Sequence, residues 1–196
     1  MPARGDHDAR RRDVSEAVWR VLAERGFAGL TLRAVASEMG ASTGLLTHYF
    51  PNKDALVTYA LDLADQRTLD RERRTAPAPG MAALRAALLD VLPLDAESAA
   101  MNRIWVGSWN RSLSDAALGA REARRYEAWR ERLRPHLADA RDRGELPPST
   151  DVDDAVATVA SFTHGLVVQA LFDPAHFPPE RQAALLDGFL RSYSTT

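Results

Sequence analysis

The chain of 196 residues contains no cysteine, which excludes disulfide bonds, thiolate zinc sites and cysteine nucleophiles together. Apolar runs are short, and none approaches the roughly 18 residues that a membrane-spanning helix needs. The first residues are polar and charged, unlike a signal peptide. Alternating apolar and polar stretches typical of strands are nearly absent. These absences favour a helical, cytoplasmic protein without a membrane partner.

Residue patterns that indicate catalysis or metal binding are also scarce. The five histidines are scattered without the spacing of metal ligands, and neither a nucleophile motif nor a glycine-rich phosphate loop is present. Asp151, Asp153 and Asp154 are typical of the acidic start of a helix rather than of a catalytic pair. The net charge of −2 does not by itself indicate a nucleic-acid partner. We therefore expect no enzyme, no metal and no cofactor.

Helical spacing dominates the first part of the chain. Val14, Ala17, Val18, Val21 and Leu22 form one apolar stripe, and Gly26 is expected to end that helix. Further helices are predicted after the proline-rich stretch 75–80, separated by glycine or proline. Their approximate ranges are 81–92, 96–110, 114–143, 151–173 and 178–193.

Two short helices between these regions carry the functional signal. Thr31 and Ser42 occupy N-cap positions before them, and Gly40-Ala41-Ser42 forms the turn that joins them. Asn52 is placed to cap a longer fourth helix. A short glycine-containing turn lets the second helix cross the first steeply and project its N-terminal half into a DNA major groove. The sequence therefore predicts a helix-turn-helix.

Residues 14–64 resemble the DNA-binding domain of TetR-type repressors. The recognition helix, 42–50, is similar to that of the BetI-like branch, although many family members have tyrosine where this chain has Thr47. The resemblance rests on the spacing of six segments: Ala23-Glu24-Arg25-Gly26-Phe27, Thr31-Leu32-Arg33, Val35-Ala36, Met39-Gly40-Ala41-Ser42, His48-Tyr49-Phe50 and Lys53-Asp54-Ala55-Leu56.

The resemblance implies an all-α chain of about nine helices with two domains. We expect a three-helix helix-turn-helix domain over 8–52 and a helical ligand-binding and dimerisation domain over 53–196. The expected function is a homodimeric repressor that an inducer of unknown identity, a small molecule, releases from a palindromic operator in double-stranded DNA. The alternative is a constitutive or corepressor-dependent DNA-binding regulator without an inducer pocket.

Nine residues are predicted to face DNA. Thr43, Gly44 and Thr47 share the outward face of the recognition helix and are expected to meet base edges. Arg33 is placed to reach a guanine edge or a phosphate. The remaining residues are expected at the phosphate backbone, although capping or core packing is an alternative for some of them: Thr31, Ser42, His48, Tyr49 and Lys53.

Six residues are predicted to line the ligand site. Met101, Trp105 and Trp109 keep helical spacing on one face, for which core packing is the alternative. Tyr126, Phe162 and His164 are expected to complete the walls. An aromatic box would suit a cationic or a flat apolar molecule, and the BetI resemblance adds a quaternary amine to the candidates.

The last two helices are expected to form the dimer interface, as the resemblance implies. Gly165 would permit a close approach of two helices. The alternative is that the apolar stripes pack only within one subunit. The predicted interface residues are Val159, Gly165, Leu166, Gln169, Phe172, Leu186, Phe189 and Leu190.

Overall fold

The computed structural model describes residues 4–70 and 77–193. Within these ranges the chain forms nine α-helices and no strand, which confirms the predicted all-α class. The helices are α1 Arg4–Gly29, α2 Leu32–Glu38, α3 Thr43–Tyr49, α4 Lys53–Asp70, α5 Met81–Leu89, α6 Ala96–Ser114, α7 Ala116–Asp142, α8 Val152–Phe172 and α9 Pro179–Arg191.

The chain divides into two compact units. The first holds α1 to α4 together with residues 103–108 of α6, and the second holds the rest of α6 with α5, α7, α8 and α9. Helix α4 packs against α1 inside the first unit. The predicted domain boundary between residues 52 and 53 stays a prediction, and α6 contributes residues to both units.

Side-chain caps fix the helix starts that the sequence predicted. The Thr31 hydroxyl accepts from the Ala34 amide at 3.0 Å, and the Ser42 hydroxyl accepts from the Leu45 amide at 3.4 Å. Asn52 Oδ1 accepts from the Ala55 amide at 2.8 Å. Asp151 accepts from the amides of residues 153 and 154, which confirms the acidic helix start. Each cap satisfies an amide that has no partner within its helix.

Three helix ends differ from the prediction. Gly26 has a non-helical backbone (φ 60°, ψ −171°), yet helical residues continue beyond it to Gly29. Helix α6 runs on past 110 to Ser114, because nothing breaks it until Asp115, whose carboxylate caps α7. Helix α5 stops at Leu89, before the predicted end at 92, since the chain turns there toward Pro93.

The core of the first unit forms around the predicted stripe of α1. Val14, Ala17, Val18, Val21 and Leu22 are all buried, which confirms this prediction. Buried side chains of the other helices add to the first unit, among them Val35, Leu46, Leu56 and Ala60. Because the apolar side chains of α2 and α3 are buried on their inner faces, the outer faces of both helices are exposed to solvent.

The core of the second unit centres on α8. Leu84 and Leu88 of α5, Leu133 and Leu137 of α7, and Leu186 of α9 belong to the same buried cluster. By length and composition alone α8 could cross a membrane, which the sequence analysis did not anticipate. However, six of its eight buried residues belong to this cluster, as expected for the core helix of a helical protein.

Candidate functional site

The turn between α2 and α3 has the geometry of a helix-turn-helix. Gly40 takes a left-handed backbone conformation with φ 61°, which favours glycine because it has no Cβ. The Ala41 amide donates to the Ala36 carbonyl at 2.9 Å and so closes the end of α2. Ser42 then caps α3. Four residues, Met39 to Ser42, thus separate the end of α2 from the start of α3.

The outer face of α3 is exposed to solvent. Its inner side is held by Leu46, which is fully buried, and by Phe50 just after the helix. Of the nine predicted DNA-contact residues, Tyr49 alone is half-buried. The other eight are exposed: Thr31, Arg33, Ser42, Thr43, Gly44, Thr47, His48 and Lys53.

Gly44 has no packing reason to be glycine. A Cβ added there would meet only the Ser42 hydroxyl, at 3.8 Å, which is an ordinary contact. Glycine in a helix costs up to about 1 kcal/mol relative to alanine. The packing of the chain therefore does not require glycine at this exposed position.

The Thr47 side chain is oriented by its own helix. Its hydroxyl donates to the Gly44 carbonyl at 2.9 Å, so the oxygen keeps its lone pairs available as acceptors. In this rotamer Thr47 offers a base an acceptor and a methyl group. The amino groups of adenine and cytosine donate in the major groove, and thymine presents a methyl group there.

Aromatic contacts fix the C-terminal end of α3. The rings of Tyr49 and Phe50 lie 6.5 Å apart, and Phe50 lies 5.1 Å from Tyr59 of α4. The Tyr59 hydroxyl is hydrogen-bonded to the Ser15 hydroxyl of α1 at 2.5 Å. The recognition helix is therefore tied through α4 to α1. Sequence reasoning missed Ser15 and Tyr59, because neither belongs to the helix-turn-helix pattern.

Helix α4 has two further attachments within the first unit. Arg67 forms an ion pair with Glu16 at 2.5 Å and lies over the Trp19 ring at 4.4 Å from its centroid. Thr68 accepts a hydrogen bond from Trp105 Nε1 of α6 at 3.3 Å. The helix that starts at the predicted phosphate anchor thus ends beside α6.

A second candidate site is a groove in the second unit, here called the α7–α8 groove, with a volume of about 260 Å³. Two aromatic rings form its wall on α7, and small side chains form most of its wall on α8. His164 lies edge-on to Tyr126, with ring centroids 4.9 Å apart, and 4.5 Å from Trp129. The lining residues are Tyr126, Trp129, Arg130, Ala157, Ala160, Ser161 and His164.

An ion pair lies beside Tyr126 on α7. Arg125 donates to both carboxylate oxygens of Glu122, at 2.5 and 3.2 Å, and its guanidinium stands 4.7 Å from the Tyr126 ring centroid. Trp109 Nε1 of α6 donates to the same carboxylate at 3.2 Å. Both oxygens of this buried carboxylate are therefore occupied.

Burial controls the titration of the two ionisable rings of the groove. It raises the pKa of Tyr126 to about 12, with the Glu122 charge as a further cause. Burial also lowers the pKa of His164 to about 4, and the positive charges of Arg125 and Arg130 act in the same direction. His164 is therefore neutral at physiological pH, and Tyr126 keeps its proton.

The six predicted ligand residues do not form one wall. Tyr126 and His164 line the α7–α8 groove, and Trp109 is linked to it through Glu122. Met101 is buried in the second unit and does not line the groove, and Trp105 belongs to the first unit.

Phe162 and His164 lie on different sides of α8, and only His164 lines the α7–α8 groove. Residues two apart on a helix point to opposite sides, and the Phe162 ring stacks on Phe189 of α9 at 4.0 Å. Sequence reasoning missed Trp129, Arg130 and the small residues of α8. Helical spacing from Tyr126 and from His164 was the signal that could have found them.

The predicted dimer residues differ in how much of their surface is exposed to solvent in the single chain. Val159 and Leu186 are 0% exposed in the single chain, so they pack within it. Leu166 and Leu190 are each only 6% exposed. The residues that keep exposed surface are Gly165, Gln169, Phe172 and, in part, Phe189.

No group of three or more histidine, aspartate or glutamate side chains in the described ranges could hold a metal ion. Arg10, Arg11 and Arg12 are exposed on α1.

Two family models match the chain. Residues 15–60 match bacterial regulatory proteins of the tetR family, and residues 80–194 match the C-terminal domain of BetI-type transcriptional repressors. The first match contains α2 and α3 entirely, and the second contains α5 to α9. The matches confirm the resemblance drawn from the residues alone.

Curated relatives span almost the whole chain. The HTH-type transcriptional regulator PksA of Bacillus subtilis is 28% identical over 189 residues, covering 92% of this chain and 88% of that protein. The HTH-type transcriptional regulator BetI of Burkholderia lata is 29% identical over 191 residues, covering 94% of this chain and 93% of that protein.

Solved structures show the same fold. A transcriptional regulator from Rhodococcus sp. is 27% identical with a TM-score of 0.70, over 93% of this chain and 94% of that one. A regulator from Saccharomonospora viridis, solved in complex with choline, has a TM-score of 0.84 at 20% identity, over 96% of this chain and 100% of that one. This chain therefore belongs to the TetR family and is a DNA-binding transcriptional regulator, not an enzyme, with a C-terminal half of the BetI type.

Proposed function

We propose that the protein is a cytoplasmic homodimeric repressor that binds a palindromic operator and is released when a small molecule binds its second unit. The observation that carries the DNA-binding step is the exposed outer face of α3, where Thr43, Gly44 and Thr47 stand free of internal packing. A helix of this length fits the major groove of B-DNA, and its small side chains allow base edges to come close.

Phosphate contacts position this helix in the proposal. Lys53 starts α4 on the exposed side, and Thr31 stands at the exposed start of α2. Such contacts hold the domain on the duplex without reading its sequence. Arg33 is proposed to reach a guanine edge or a phosphate beside the recognition helix.

Dimerisation follows from the operator that we propose. A palindrome has two half-sites about one turn of DNA apart, so two copies of α3 must be held at that spacing. The exposed side of α8 offers a surface for a second copy. Gly165, Gln169 and Phe172 lie one turn apart along it, and Phe172 keeps 80% of its surface exposed. An apolar ring so exposed is well suited to a partner subunit.

Effector binding is proposed at the α7–α8 groove. Its volume of about 260 Å³ and its aromatic wall suit a small flat molecule. A constitutive regulator would not need such a groove, which favours the effector-responsive function over that alternative. The choline complex of the Saccharomonospora viridis protein is a precedent for a small ligand in this fold.

Helix α6 is the proposed route from effector to DNA. Its residues 103–108 belong to the first unit and its two ends belong to the second. Within the first unit, Trp105 is hydrogen-bonded to Thr68 near the end of α4, whose other end carries Lys53. An effector that binds one position of α6 more tightly than another would shift α4 and change the spacing of the two copies of α3, which would then no longer match the half-sites.

Selection of bound duplexes from a random DNA pool, followed by effector screening on the selected sequence, tests the proposal. The expected result is a palindromic consensus bound by two chains and released by at least one small molecule. A bound but non-palindromic consensus would contradict the dimer. Enhanced binding with every active molecule would indicate the corepressor-dependent alternative.

A further inference from the structure

The lining of the α7–α8 groove carries a positive charge that no acidic lining residue balances. None of its seven lining residues is acidic, and Arg130 is among them. Resting on the proposed function of this groove, we propose that the effector is an organic acid: a flat apolar body whose carboxylate or similar anion pairs with Arg130. The proposal names a ligand class, and three features of the groove support it.

The first feature is the unpaired guanidinium. Within residues 4–70 and 77–193, no carboxylate forms an ion pair with Arg130, although its neighbour Arg134 pairs with Glu131 and with Asp153. Arg130 is half-buried at the groove. A guanidinium presents a fork of donors that matches a carboxylate, and such charge-assisted bonds are about twice as strong as neutral ones.

The second feature is the character of the other polar groups. The Ser161 hydroxyl donates to the Ala157 carbonyl at 2.8 Å and is thereby fixed against the helix. His164 is neutral because burial and nearby positive charge lower its pKa to about 4. A neutral imidazole carries one N–H donor that an anion can use. Beside them, Tyr126 and Trp129 offer flat surface to an apolar body.

The third feature disfavours a cation. The nearby carboxylate of Glu122 is buried and already bonded by Arg125 and Trp109, so it is not free to balance a second positive charge. A quaternary ammonium in the groove would meet Arg130, and none of the residues that line the groove is acidic. Like charges at close range oppose binding. In this proposal the α7–α8 groove does not suit choline, the ligand in the structure of the Saccharomonospora viridis protein.

Isothermal titration calorimetry of the full chain with three matched probes tests the proposal. The probes share a naphthalene ring and differ in charge: 1-naphthaleneacetate, the neutral 1-naphthaleneacetamide and the cation 1-naphthylmethylammonium. We expect the acid to bind at least about tenfold more tightly than the amide, and the cation to bind most weakly. Arg130→Gln should remove the preference for the acid, and Arg130→Lys should retain part of it.

Arg124→Gln is the matched control, because Arg124 is exposed on the same helix, does not line the groove and loses the same charge. It should leave the preference for the acid unchanged. Circular dichroism melting of each variant establishes that it folds.

Four results would overturn the inference: equal affinity for acid and amide, tightest binding of the cation, no binding of the acid up to about 10 mM, or an unchanged preference in folded Arg130→Gln. Operator binding is measured on the same preparations. If it persists, only the ligand class is wrong; if the wild type binds no duplex, the proposed function itself fails.

Discussion

Nothing in the packing of the chain explains why residue 44 is glycine rather than alanine. No neighbouring atom would obstruct a Cβ there, and α3 would gain helix propensity from one. We predict that Gly44→Ala raises the free energy of unfolding by up to about 1 kcal/mol. The same change should weaken operator binding about tenfold, because the methyl group stands where DNA must approach.

Denaturant unfolding and fluorescence anisotropy with a labelled duplex measure these two effects. Gly107→Ala is the control, because Gly107 is also exposed within a helix and would also place its Cβ in open space. It should change stability in the same direction and leave the affinity for DNA intact. Equal affinity of Gly44→Ala and wild type would remove the argument for close approach at α3.

Truncation of Lys53 and truncation of Thr47 should have different effects on DNA binding. Lys53→Ala is expected to weaken binding to all duplexes alike and to lower the slope of log affinity against log salt by about one charge. Thr47→Ala should instead change the preference among operators by up to roughly 1–3 kcal/mol per base pair. Arg191→Ala, which removes an exposed charge in the last turn of α9, controls for net charge and should leave the slope unchanged.

His164 gives the second unit a pH-dependent stability. Its folded pKa of about 4 lies below the usual value of 6.5, so the unfolded chain takes up a proton first as pH falls. The stabilisation is complete above about pH 6.5 and is lost as pH falls toward 4. We predict that unfolding free energy falls between pH 7 and 5 by about 2 kcal/mol more in wild type than in His164→Gln.

Urea unfolding at a series of pH values measures this difference. His136→Gln, on α7, serves as the control and should keep the pH dependence of wild type. If His164→Gln kept it too, folding would not lower the pKa of His164, and the assignment of a neutral donor in the groove would lose its support.

At the scale of elements, local signals predicted the helices well. N-caps such as Thr31, Ser42 and Asn52 act within three residues, so the sequence alone identifies them. Where two elements meet was harder to predict. The stacking of Phe162 on Phe189 and the contact of His164 with Trp129 depend on how α8 is rotated against its neighbours, which apolar spacing does not determine.

The residues of the dimer surface were likewise harder to predict than the helices that carry them. Apolar spacing marked α8 and α9 as core helices, but it could not separate Val159, which is buried within the subunit, from Phe172, which is exposed. The helix-turn-helix was predictable almost residue by residue, because its spacing is specific. The α7–α8 groove was not, since three of its seven lining residues are small side chains of α8, which carry little signal.

Helix α8 offers a direct test of the proposed dimer. Gly165 is exposed, and a Cβ there would lie in open space, so the subunit tolerates a side chain at this position. We predict that Gly165→Arg raises the dissociation constant of the dimer at least about tenfold, because the interface would have to bury a charge. Analytical ultracentrifugation over a concentration series measures this constant.

The control for the dimer test is Gly107→Arg, at another exposed helical glycine that has open space around it. It should leave the dissociation constant as in wild type. A dimer that is unaffected by Gly165→Arg would place the interface elsewhere than on α8.

At the scale of the whole molecule, one unit carries the helix-turn-helix and the other holds the groove at which we propose that an effector binds. Helix α6 contributes residues to both, and this sharing is the structural basis proposed for regulation. By thermodynamic linkage, an effector that weakens DNA binding must itself bind more weakly to the DNA-bound protein. The family sets the DNA-binding function, and the charge of the groove sets the class of effector that we propose.

The central claim is that α3 reads a specific double-stranded sequence. Its most direct test is the affinity of the wild-type protein for its selected operator and for a scrambled duplex of the same composition, measured by anisotropy at physiological salt. We predict that the protein binds the operator at least about a thousandfold more tightly than the scrambled duplex. Equal affinity for the two duplexes across the salt range would contradict it.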